Sequence, residues 1–73
     1  MMNEQEFIEK MRDYVLNTKS EISLNTALDD IEEWNSLSFI ILLSMAKEHG
    51  FTKINSTAVS EAQTVGDLYE LIK

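Results

Sequence analysis

The stretch Leu37–His49 constrains this chain most, because it reads as a helix whose apolar residues overrun a single face. Phe39, Leu42, Leu43 and Ala46 fall at i, i+3, i+4 and i+7, the spacing of a core-facing stripe. Leu37, Ile40, Ile41 and Met45 lie largely outside that stripe and are apolar as well. A helix apolar on most of its circumference is either buried all round or offers part of itself to something else. In a chain of 73 residues it cannot easily be buried all round. Two expectations follow: extra packing beneath a neighbouring loop, or a row Leu37, Ile41 and Met45 at i, i+4 and i+8 turned outward toward a partner.

That length makes residues 1–73 one small domain, near the lower limit for a core without staples. There is no cysteine, so disulfides and thiolate metal sites are excluded, which fits a reducing cytoplasm. A single histidine, His49, rules out a multi-histidine metal site. No stretch approaches the ~20 apolar residues of a membrane span, and Met1–Glu6 lacks the basic start and apolar core of a signal peptide. The net charge of −7 argues against nucleic acid and anionic lipid as partners, since both need clustered Lys and Arg. It favours partners with basic surfaces. A hydrophobic share of 44% suffices for a packed core.

Taken in order, Asn3 caps a first helix with Glu6 in the reciprocal position, and Phe7, Met11, Tyr14 and Val15, widened by Ile8, form its stripe to about Asn17. From Thr18 to Asn35 no helical period persists. Turn formers Ser20, Ser23, Asn25 and Thr26 alternate irregularly with Ile22, Leu24, Leu28, Ile31 and Trp34. This reads as a long ordered loop pinned by its apolar residues, with one helical turn near Thr26–Asp29. Asp29, Asp30, Glu32 and Glu33 crowd its end as a solvated acidic surface, without the alternating ligands and mid-loop glycine of an EF-hand. Gly50 closes the second helix, Phe51 and Ile54 anchor an extended link, and Asn55 or Ser56 caps a short helix to Glu61. Thr64 and Asp67 bracket the start of a last helix whose stripe is Val65, Leu68, Tyr69 and Ile72. The fold class is therefore all-α: main helices at Asn3–Asn17, Leu37–His49 and Thr64–Ile72, a short one at Ser56–Glu61, and no strand pairing.

Catalysis finds no equipment. Ser36 and His49 are ~20 Å apart along one helix at ~1.5 Å per residue, beyond hydrogen-bond reach, so no nucleophile–base pair forms. His49 reads as a helix C-terminal residue facing the dipole. Paired carboxylates on so small a helical domain have little room for a substrate cleft. The chain is read as a non-enzyme. Asn35 and Ser36 are both ordinary N-cap residues. Yet a hydroxyl at a helix start is also where an attached phosphate would be favoured by unpaired N–H groups and the macrodipole.

Trp34-Asn35-Ser36-Leu37 followed by a long apolar helix resembles the Asp-Ser-Leu motif of acyl and aminoacyl carrier proteins. The likeness extends over nearly the whole chain: a long first loop ends at the serine, an isoleucine (Ile54) follows helix II, and Thr64-Val65-Gly66-Asp67-Leu68 through Ile72 matches the family's last helix. The resemblance implies a small four-helix bundle with a short third helix. It implies a 4′-phosphopantetheine cofactor attached to Ser36, flanked by Asn35 and Leu37. It further implies phosphopantetheinyl transferase and acyl- or aminoacyl-loading enzymes as partners of a cytoplasmic monomer. Partner contact is assigned to Leu37, Ile40, Ile41 and Met45, with Asp29, Asp30, Glu32 and Glu33 around them. Two departures stand out. Asn35 replaces the usual Asp, and helix II carries a single carboxylate, Glu48, where fatty-acid carriers usually bear several. A dedicated aminoacyl or other specialised pathway is thus as compatible as fatty-acid synthesis. The alternative is a carrier-like helical interaction module that is never modified.

Overall fold

The computed structural model describes residues 2–73, and among these the chain is helical with no β-strand. Helix α1 (Glu4–Lys10) starts in the capping box its sequence announces. The Asn3 side chain accepts from the Glu6 N–H at 2.8 Å, and the Glu6 carboxylate accepts from the Asn3 N–H at 3.1 Å. It runs on without a break into a π-helical turn, Met11–Val15, where the Leu16 N–H reaches back five residues to the Met11 carbonyl. The wider turn re-registers the helix face. Val15 and Leu16 swing into the core while Tyr14, expected in the stripe, is half exposed at 50%. Asn17 ends the element in the left-handed region (φ 51°), which asparagine tolerates better than most residues, and the Thr18 N–H closes onto the Arg12 carbonyl.

The long connection that follows is ordered, as its apolar residues implied. Its only helical turn is a 3₁₀ turn at Leu28–Asp30, with Leu28 and Ile31 buried. Main-chain bonds stitch the loop to the start of the last helix: Leu28 N–H to Gln63, Val65 N–H to Thr26 and Gly66 N–H to Leu24, all within 3.0 Å. An isolated antiparallel bridge pairs Ala27 with Thr64. Gly66 is required by this approach, since a Cβ there would lie 2.8 Å from the Leu24 carbonyl oxygen.

Helix α2 (Ser36–His49) crosses the molecule and ends at Gly50 (φ 74°) in a Schellman turn, Phe51 N–H to Ala46 carbonyl at 2.8 Å. Asn55 caps α3 (Ser56–Glu61), its side chain accepting from the Ala58 N–H. Thr64 and Asp67 form the capping box of α4 (Val65–Glu70), shorter than expected because Leu71 and Ile72 already belong to a terminal turn. One core joins all of these: Phe7, Met11, Leu42, Val59, Val65 and Leu68 are fully or almost fully buried. Phe7 also meets Tyr69 at 5.7 Å between ring centroids.

Candidate functional site

The start of α2 is built by its two polar neighbours rather than by Ser36. Asn35, extended at φ −146°, turns its carboxamide oxygen onto the N–H groups of Leu37 (2.9 Å) and Ser38 (3.2 Å). Ser38 completes the box: its Oγ accepts from the Asn35 N–H at 2.8 Å. The same Oγ lies within donating distance of the carbonyls of Asn35 (2.9 Å) and Glu33 (3.1 Å), which share its single proton. Ser38 is buried, and no buried side-chain N or O among the described residues lacks a partner. Ser36 occupies the first helical position with its side chain exposed, and among the described residues its hydroxyl makes no hydrogen bond. Of the two N-cap candidates in the sequence, Asn35 is the cap. The hydroxyl of Ser36 is left over.

The acidic approach is a run of tight turns. Ile31 N–H bonds to Leu28 and Trp34 N–H to Ile31, which places Leu28 and Ile31 inside and leaves Asp29, Asp30 and Glu32 in solvent. Glu33 is half-buried beside its tethered carbonyl. Trp34 packs against Phe39 with centroids 6.2 Å apart, so the residue before the cap is held to the first turn of α2.

The faces of α2 require a correction. Its buried residues are Ser38, Leu42, Met45 and Ala46, a face turned by about 60° from the expected stripe at about 3.6 residues per turn. Met45 is 2% exposed and belongs to the core, not to an outward row. The rotation has a physical reason. Phe39 leans on Trp34 and Leu43 lines the groove toward α3, both half-buried at the edge of the core, while Met45 lies on the side of α2 that packs toward the Met11–Val15 turn. Leu37 (66%) and Ile40 (61%) are outward as expected, whereas Ile41, expected in the outward row, is half-buried and packs against the core. The exposed apolar surface is therefore narrower than Leu37, Ile40, Ile41 and Met45, and it lies entirely at the Ser36 end.

A groove of about 430 Å³ runs between the second half of α2 and the start of α3, floored by Leu43, Ala46, Phe51 and Ile54, with Lys47 and Asn55 at its rim. Ser36, Ile40, Leu43 and Lys47 recur at i, i+4, i+7 and i+11, so the groove opens on the same side of the helix as Ser36. His49 lies away from Ser36 at the other end of α2, stacked on Phe51 at 5.4 Å. No group of acidic or histidine side chains among the described residues is arranged to hold a metal ion, and no described helix is long and apolar enough to cross a membrane. Comparison with protein-family models, with curated proteins and with solved structures finds no match.

Proposed function

We propose that this chain is a cytoplasmic carrier protein of the acyl-carrier fold, modified on Ser36 and working as a monomer that presents a tethered acyl or aminoacyl group to partner enzymes. The observation that carries the reading is the division of labour at the start of α2. Asn35 and Ser38 do all the capping, while the Ser36 hydroxyl is exposed and unbonded on the first turn of the longest helix. The element order supports it too: a long first connection ending at the serine and a short third helix.

A 4′-phosphopantetheine fits this position. A phosphodiester on Ser36 would sit at the positive end of the α2 dipole. The neutral carboxamide of Asn35 adds no like charge beside it, and the exposed oxygen is within reach of a second protein. When bound, the group supplies a thiol that holds the cargo as a thioester. The chain itself contributes an attachment oxygen, which gives up its proton to a base on the transferase as coenzyme A is cleaved and its nucleotide half leaves. It also contributes recognition. Leu37 and Ile40 offer apolar contact, and Asp29, Asp30 and Glu32 offer charge that steers a basic partner. The groove over Leu43 has room for a small apolar cargo.

Incubation with coenzyme A and a broad-specificity phosphopantetheinyl transferase should add one phosphopantetheine to the wild type and none to Ser36→Ala, read by intact mass. An unmodified wild type after several transferases, or modification at Ser38, overturns the proposal. The first outcome would leave the Leu37–Ile40 surface as the working part of an unmodified interaction module.

A further inference from the structure

We infer that Ser38 is a positioning residue for modification at Ser36: its buried hydroxyl holds the acidic approach loop in the geometry that a transferase reads. The inference rests on the carrier reading above and goes beyond it by assigning work to a residue that the motif does not include.

Ser38 is 3% exposed, yet its Oγ engages three main-chain groups, accepting from Asn35 N–H and facing the carbonyls of Asn35 and Glu33. A capping box needs only the first of these. The contact to Glu33, five residues back, lies outside the helix and ties it to the loop. Upstream of Glu33 the chain is a succession of turns anchored by buried Leu28 and Ile31, so the position of Glu33 is transmitted to Glu32, Asp30 and Asp29. No lysine, arginine or histidine occurs between Lys19 and Lys47, so nothing within this stretch offsets those carboxylates. Buried Leu28 and Ile31 and the turn bonds between them fix the upstream part of this run, and where it meets α2 it is held to the Ser36 turn by the Trp34–Phe39 contact and the Ser38 hydroxyl.

Removing the hydroxyl takes this contact from the Glu33 carbonyl and the acceptor from the Asn35 N–H, which loosens the junction of the loop with the Ser36 turn while the buried Leu28 and Ile31 keep the loop on the core. The oxygen to be modified is untouched. The loss should therefore appear in recognition, not in chemistry.

The test is steady-state phosphopantetheinylation of wild type, Ser38→Ala, Ser38→Thr and Ser38→Cys at low and moderate salt, with thermal melts to show that each is folded at the assay temperature. Ser38→Ala should raise KM for the carrier about tenfold, equivalent to ~1.4 kcal/mol, with kcat little changed. Its KM should also depend less on salt than that of the wild type, because the carboxylates no longer act in concert. Ser38→Thr, which keeps the hydroxyl, should restore KM. Should Ser38→Ala fail to fold, Ser38→Cys carries the test, since its near-isosteric thiol is only a weak donor and acceptor and should give an intermediate KM. A folded Ser38→Ala or Ser38→Cys with the wild-type KM and salt dependence overturns the inference while leaving modification at Ser36 intact. Failure of the wild type itself to be modified removes the carrier reading instead.

Discussion

Ser36 and Ser38 stand two positions apart on one turn of α2, and burial separates their roles. The hydroxyl of Ser38 is enclosed and bonded on every side, whereas that of Ser36 meets solvent. Ser36, exposed and without a structural bond at the helix start, is the residue we propose as the attachment site. The same contrast operates among the apolar residues of the helix. Met45 fills the core and Ile40 does not, although both are large and apolar in sequence. Met45→Ala should cost about 2–5 kcal/mol, the range for emptying a buried site of that size. Ile40→Ala should stay within about 0.5 kcal/mol. Urea titrations of the two variants check this, and an Ile40→Ala loss comparable to that of Met45→Ala would mean that the outward face has been misassigned.

At the scale of the elements, local capping chemistry sets where helices begin. α4 shows this most plainly, because Asp67 accepts from both Gln63 N–H (2.9 Å) and Thr64 N–H (3.1 Å) while its own N–H reaches Thr64 Oγ1. The Gln63 and Thr64 donors stabilise the ionised carboxylate and hold its pKa below the ordinary aspartate value. A depressed folded pKa means that the unfolded chain binds the proton more readily. The contribution is therefore complete above the ordinary aspartate value and is lost as pH falls through the lower folded one. Asp67→Asn should melt below the wild type at neutral pH, and the gap should close on acidification through that window. Melts across the acid range decide it, and a gap that stays constant would show that the carboxylate charge is not what holds the cap. The same element is where the loop is fastened, through Gly66 and Leu24, so weakening the α4 start should also loosen the approach to α2.

For the molecule as a whole, charge is the unbalanced quantity. Thirteen acidic residues face six basic ones. Among the described residues the ion pairs are Arg12–Asp13 and Glu70–Lys73, both exposed and both between near neighbours in sequence. Neither offsets the acidic run before α2. Like-charge repulsion should therefore work against the compact state, and added salt should raise the melting temperature by shortening the Debye length to about 10 Å at 0.1 M. Melts over an ionic-strength series test this directly. A flat response would indicate that the exposed carboxylates are spaced widely enough for water alone to screen them.

The helix starts, and the end of α2, were readable in the residues because each depends on a few neighbours. Asn3 with Glu6, Thr64 with Asp67, Asn55 before α3 and Gly50 after α2 all cap as their local chemistry dictates. For the same reason the Asn35-Ser36 helix start was legible, down to the alternative that one of the pair is simply a cap. Tertiary packing decided what periodicity could not. The π turn at Met11–Val15 traded Tyr14 for Leu16 in the core, a shift with no local signature, since it rewards a fit against the rest of the fold. α2 is apolar on so many sides that its sequence permits several rotations. The aromatic contact of Phe39 with Trp34 and the demands of the core around Phe7 and Leu42 select the one that buries Met45. The work of Ser38 was equally invisible, because a serine at the third helical position is unremarkable until the Glu33 carbonyl is brought against it. A capping residue carries its partners with it along the chain, whereas a helix face acquires its inside and outside only from what the rest of the chain places beside it.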